Sequence, residues 1–132
     1  MAASESYPDD LLYHHEHDWA RIDGDEATMG ITWYAQDSLG ELVHYEPPDV
    51  GATLTKDTGY GEVESVKAVS DLIAPLSGEV LAANQKVVDE PETVNEDPYG
   101  EGWLVRVRMS DPGELDALLD AAGYAKLLED LA

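Results

Sequence analysis

Apolar and polar positions alternate with a period near two through most of the first 110 residues, so the chain predicts strands before helices. WARID (19–23) and EATMG (26–30) flank Gly24-Asp25, and glycine supplies the positive φ of a tight turn, which predicts a hairpin. Thr32 is placed to N-cap a short helix through Tyr34, Ala35 and Leu39, and Gly40 to end it. ELVHY (41–45) resumes extended structure until Pro47-Pro48 stops it. Strands are expected over 60–66 and 68–74, then a turn at PLSG (75–78) and a strand over 79–83. Residues 84–102, rich in Pro, Asn, Asp, Glu and Gly, predict a long surface loop with one helical turn after Pro91. WLVRVRM (103–109) alternates again, as a half-buried strand does.

The period then changes. Asp111, Pro112 and Glu114 offer an N-cap, a first-turn proline and a capping-box acid to a helix carrying Leu115, Leu118 and Leu119. Gly123 separates it from a last helical stretch whose Leu127, Leu128 and Leu131 form an apolar face. The expectation is a small β-sandwich or flattened barrel with short helices at its edges. A faint repeat of glycine, acid, then leucine or valine at 40–43, 61–63 and 78–80 suggests two sheet halves built alike. Trp19, Trp33, Trp103, Leu118 and Leu127 read as core or half-buried anchors.

Length and charge narrow the picture. The chain has 132 residues, one domain's worth, and a domain of about 150 residues buries roughly 68–70% of its unfolded surface, so no staples are needed. There is no cysteine, so any sulfur chemistry must come from an added group. Seven basic against 29 acidic residues give a formal charge of −22, which repels nucleic-acid phosphates and anionic membranes, and neither partner is expected. Such self-repulsion also suggests a salt-rich cytoplasm, because the Debye length shrinks to about 3 Å at 1 M salt. MAASESYPDD lacks the features of a secretory signal or transit peptide, and no apolar run approaches the roughly 18 residues of a membrane span, so a soluble cytoplasmic protein is expected.

Candidate chemistry is sparse. His14, His15 and His17 lie close together, but zinc sites draw three or four ligands from separated segments and nothing elsewhere completes one. No metal site is expected; the segment reads as a solvated N-terminal approach strand with His17 and Trp19 partly packed. With no nucleophile–base pair and no phosphate-cradling glycine loop, the chain does not read as an enzyme. Of the four lysines, Lys56, Lys86 and Lys126 sit in turn or helix contexts and read as solvated charges. Lys67 differs. No Gly, Pro or Asn lies between the strands on either side of it, so the chain must reverse at Val66-Lys67-Ala68 and the lysine stands at a hairpin tip. A tip lysine is ordinarily just a solvated charge. Here Val66 and Ala68 flank it with small apolar groups, and Glu64 and Asp71 mark the site with charges a modifying enzyme can read.

Six stretches, "EHDWARIDGDEATMGIT", "YAQDSLGELV", "GEVESVKAVSD", "APLSGEV", "VNEDPYGEGWL" and "SDPGELDALL", resemble the glycine cleavage system H protein family in order and spacing. The resemblance implies a mainly β fold with short helices: a lipoyl/biotinyl-carrier-like flattened β-barrel, or barrel-sandwich hybrid, with C-terminal helices. It implies one carrier domain over 1–132, with 1–12 as an N-terminal extension and 111–131 as C-terminal helices. It also implies lipoic acid in amide linkage to Lys67, attached by a lipoyl-attaching enzyme for which Glu64, Val66 and Ala68 form the recognition context. Such a protein is a carrier. Its arm takes the aminomethyl group of glycine from glycine decarboxylase (P protein) to the aminomethyltransferase (T protein) and is reoxidised by dihydrolipoyl dehydrogenase (L protein). A hairpin tip would let the arm swing with no neighbour crowding its stem. The loaded arm is expected to dock in a cleft marked by Asp71, Asp18 and Glu16, Asp18 standing where relatives often have glutamate. Alternatives are a lipoyl donor or carrier for another pathway, and a biotin carrier domain, whose usual Met-Lys-Met is replaced here by Val-Lys-Ala.

Overall fold

The computed structural model describes residues 3–131; Met1 and Ala2 of the expected N-terminal extension, and Ala132 of the expected domain, lie outside the described residues. Two antiparallel sheets make the fold. The larger contains β1 (Leu12–Tyr13), β2 (Asp18–Asp23), β3 (Glu26–Ile31), β5 (Thr53–Leu54), β8 (Gly78–Ala83) and β9 (Val105–Met109), in the spatial order β1-β2-β3-β9-β8-β5. The smaller contains β4 (Leu42–Glu46), β6 (Gly59–Ser65) and β7 (Val69–Ile73), with β6 central. The mainly β, flattened barrel-sandwich expectation agrees with this arrangement.

The predicted hairpin is present in the predicted register, Asp23 facing Glu26, and Gly24 takes φ +63° at the first position of its two-residue turn. Helix α1 (Trp33–Leu39) is capped as expected: Thr32 Oγ1 accepts from Ala35 N–H at 3.2 Å, and Gly40 closes the helix at φ +85°. Alternation along β9 buries Val105, Val107 and Met109. They meet Val80 and Ala27 of the same sheet and Tyr45, Val63 and Leu72 of the other in one continuous core. At β2 the sheet is covered on both faces. Ala20 joins the main core, while Trp19 enters a second cluster with Leu11, Tyr13 and Tyr124.

Four expectations need correction, and in each a long-range contact outweighs local composition. Residues 84–102 hold two helices, α2 (Gln85–Asp89) and α3 (Thr93–Glu96), rather than a loop with one turn. Asn84 caps α2 by accepting from Lys86 N–H, while Val87 and Val94 plug the end of the core. Glu114 forms no capping box. Its carboxylate accepts from Ser77 N–H (2.7 Å) and Ser77 Oγ (2.8 Å), and the segment tightens into a 3₁₀ helix, Pro112–Ala117. Gly123 lies inside α4 (Ala121–Leu131), whose first turn is capped by Asp120; Leu127 and Leu128 pack on the second cluster, but Leu131 is 55% exposed. The N-terminal approach is solvated only at His15 and Glu16: Leu11, Tyr13, His14 and Trp19 are all at most 2% exposed, and His17 is partly packed as expected.

Candidate functional site

The sequence-predicted hairpin forms from β6 and β7, with Glu62 opposite Asp71 and Glu64 opposite Val69. Its tip is built by Ser65, a residue the sequence reading passed over. Ser65, 8% exposed, donates its N–H to Ala68 O at 2.8 Å, and its Oγ accepts from Ala68 N–H at 3.1 Å and from Lys67 N–H at 3.3 Å. A serine hydroxyl that gathers the amides of the following residues is the side-chain turn motif that replaces Asn or Gly here. Val66 N–H donates to Glu41 O at 3.2 Å, which ties the tip to the chain entering β4. The reversal at Val66-Lys67-Ala68 is therefore braced from two sides.

Lys67 is exposed and has no ion-pair partner among the described residues. Its stem is not free of neighbours, as a hairpin tip had suggested. Cε lies 3.6 Å from where a Cβ on Gly40 would stand, an ordinary van der Waals distance, so the end of α1 lies beside the stem. Lys56 pairs with Asp57 at 3.1 Å and is only 22% exposed, contrary to a freely solvated charge, and Lys86 faces Glu90 at 3.8 Å; Lys126 is exposed without an ion-pair partner among the described residues, as Lys67 is, but it lies on α4 and not on a turn.

Beside the hairpin, one cleft of about 240 Å³ runs between α1 and the start of β7. Glu16 and Asp71 line it, with His17, Tyr34, Ser38 and Ser70. Asp71 and Glu16 are exposed there. Asp18 does not line this cleft. It is 2% exposed, shares the inward face of β2 with Ala20, and its Oδ2 has no hydrogen-bond partner among the described residues. Burial, and then the charge of Glu16, push its pKa well above the ordinary carboxylate range, because both disfavour the charged form. A second depression, about 330 Å³, lies on the opposite face of α1 and is lined by Gln36, Asp37, Gly40, Glu41 and residues of α3.

Two of the three N-terminal histidines, His14 and His17, serve structure, and His15 is exposed. His14 Nδ1 accepts from Glu16 N–H at 3.1 Å, so in the neutral ring the proton sits on Nε2, which is 2.6 Å from Asp57 Oδ1. Burial lowers the His14 pKa despite that carboxylate, while the same bond, then Lys56, lowers that of Asp57. His17 Nδ1 and Thr32 Oγ1 each lie 2.8 Å from Tyr124 Oη, which locks α4 onto the start of α1. Among the described residues no group of three or more potential ligands could hold a metal ion, and no helix is long and apolar enough to cross a membrane. The site thus offers one accessible primary amine on a rigid tip and, beside it, an acid-lined cleft. An amine so placed can be acylated by another enzyme.

Residues 11–131 match the family model described as glycine cleavage H-protein. The chain is 52% identical over 117 residues to the glycine cleavage system H protein of Symbiobacterium thermophilum, covering 89% of this chain and 91% of that protein. It is also 52% identical to that of Rubrobacter xylanophilus over 123 residues, 93% of this chain and 95% of the relative. A crystal structure of the glycine cleavage system H protein from Mycobacterium marinum superposes with a TM-score of 0.86 at 43% identity, covering 93% of this chain and 99% of the other.

Proposed function

The chain belongs to the glycine cleavage H-protein family, whose members are carriers rather than enzymes, and we propose that Lys67 bears the lipoyl group through which this protein shuttles an aminomethyl group. The observation that carries the proposal is the partnerless, exposed amine of Lys67 on a tip braced by Ser65 and by Glu41 O. In this reading 1–132 is one carrier domain, with 1–12 as its N-terminal extension and 111–131 as its C-terminal helices. The partners are glycine decarboxylase, the aminomethyltransferase, dihydrolipoyl dehydrogenase and a lipoyl-attaching enzyme that reads Glu64, Val66 and Ala68.

Bound in amide linkage, the group would supply a dithiolane that takes up a one-carbon unit and two electrons, chemistry a chain without cysteine lacks. The residues present fit it. The tip holds the pivot still, and the exposed amine of Lys67 leaves room for an acyl group to be attached. In the cleft, Asp71 and Glu16 present carboxylates to an ammonium entering from the arm, and charge-assisted hydrogen bonds there hold it away from bulk water. Asp18 stands behind this wall, buried and with no direct reach into the cleft.

The lipoylated chain should support glycine-dependent release of carbon dioxide when reconstituted with glycine decarboxylase; failure of demonstrably lipoylated protein to do so would contradict the assignment. Asp71→Asn should raise the rate at which the charged protein leaks its one-carbon unit by about tenfold, the value of one charge-assisted hydrogen bond. Formaldehyde released in the absence of the aminomethyltransferase reads this, and equal release from both proteins removes Asp71 from the role.

The setting we propose is a salt-rich cytoplasm. Glu62 faces Asp71 directly across β6 and β7, a repulsive pair typical of a chain with charge −22. Raising KCl from dilute buffer to about 2 M should lift the thermal midpoint by on the order of 10 °C as these repulsions are screened. An unchanged midpoint argues for an ordinary acidic protein.

A further inference from the structure

Of the large hydrophobic residues exposed on the described chain, three gather around the lysine tip: Val43 is 50% exposed, Val66 72% and Val69 61%. Their convergence follows from register. Val69 pairs with Glu64 across the β6–β7 hairpin. Val43 occupies the bulge between Leu42 and His44, which face Ser65 and Glu64 on the other side of β6. Val66 follows directly and is held to Glu41 O. Adjacent strands lie about 4.8 Å apart, so all three valines sit at one end of the small sheet, within reach of a single contact. A bulge is an irregular feature that re-aims a side chain, and here it turns an apolar one outward beside the lysine.

Around this spot, apart from Lys67 itself, whose charge acylation removes, and the exposed His44, the charged side chains are acidic. Glu41, Glu62 and Asp71 are exposed, Glu64 is half-buried, and none has an ion-pair partner among the described residues. A second copy of the chain would bring the same carboxylates against these, so self-association through this face is opposed. A partner with an apolar centre and a basic rim is matched in both respects.

We propose that Val43, Val66 and Val69 form an apolar collar that seats the lysine tip in the active-site mouth of the glycine-cleavage enzymes, each mouth offering an apolar centre rimmed by Lys and Arg. The proposal rests on the carrier reading above and adds the surface and the partner chemistry. A collar of three side chains makes a small interface, at the weak end of the range below about 1,200 Å², as a carrier that must leave each enzyme requires. It also divides the labour by salt. Steering by the acidic rim fades when the Debye length falls to about 3 Å at 1 M, whereas apolar contact is not screened.

The test uses the chain with Lys67 unmodified, so that docking is read apart from the arm. Binding to immobilised glycine decarboxylase is measured for wild type, Val43→Ser/Val69→Ser and, as control, Val50→Ser, whose valine is 68% exposed on the loop before β5. The collar predicts at least tenfold weaker binding for the double variant, undiminished in about 1 M KCl, with the control unchanged and thermal midpoints equal throughout. Wild-type affinity in the double variant overturns the collar, and so does a wild-type dimer in sedimentation that the variant abolishes. Failure of the carrier reading looks different: native protein then carries no lipoyl group, whatever the valines do.

Discussion

Lys67→Arg should fold like the wild type and yet acquire no lipoyl group and support no decarboxylation of glycine above background. The substitution keeps the positive charge and most of the length. What it removes is the only feature the proposed chemistry needs, an amine that can lose a proton and attack an activated acyl group, because a guanidinium has a pKa above about 12 and stays protonated. Structure gives little reason for a stability change. The side chain is exposed and unpaired, and the turn is held by Ser65 Oγ and by backbone groups, so the change in stability should stay within about 0.5 kcal/mol. Intact mass after co-expression with the attaching enzyme, with carbon dioxide release in the reconstituted system, checks both halves. A lipoyl group found on Lys56, Lys86 or Lys126 of the variant would overturn the assignment of Lys67.

Trp19→Ala should be the most damaging single change to the fold, costing about 3–5 kcal/mol, a large share of the roughly 5–15 kcal/mol by which a domain is stable. Trp19 is fully buried, and the backbone of Gly30 packs so closely beneath it that a Cβ there would stand 2.8 Å from the ring. Its Nε1–H donates to Pro98 O at 3.0 Å, the Arg21 guanidinium lies 5.0 Å from the ring centroid, and the Tyr99 ring lies at 6.0 Å. Truncation opens a cavity, strips Pro98 O of its donor and loosens the joint between β2 and the segment after α3. Urea unfolding followed by circular dichroism measures this; a loss below about 1 kcal/mol would show that the second cluster does not bear on stability as the packing implies. Lys67 lies on the other sheet, so whatever fraction of the variant folds should still be modified.

The contrast between these sites shows which features could be read from the chain alone. The β2–β3 hairpin, the capped helix α1 and the lysine tip were legible because each is specified by neighbouring residues: a glycine at a turn, a threonine before a helix, two alternating runs with nothing between them but Val-Lys-Ala. Glu114 illustrates the opposite case. Its spacing from Asp111 fits a capping box, and only the fold brings Ser77 close enough to take the carboxylate instead. The same holds for Asn84, whose amide also donates to Glu101 O and Trp103 O, and so anchors α2 in a stretch whose composition says loop. Asp18 reads as one carboxylate among 29 until β2 pairs and turns it inward. Ser65 carried a usable local signal, a serine two residues before the tip lysine, but its part emerges only with the hydroxyl on two amides. Gly40 was legible as a helix end and not as a neighbour of Lys67, which lies 27 positions further along the chain.

The central claim is that a braced β-turn presents one amine for covalent loading. Its most direct test is peptide mapping by mass spectrometry of the protein isolated from its own host growing on glycine. The account predicts a lipoyl group on the peptide containing Lys67 and on no other. A bare Lys67, with the glycine cleavage enzymes present and active in the same cells, would contradict it.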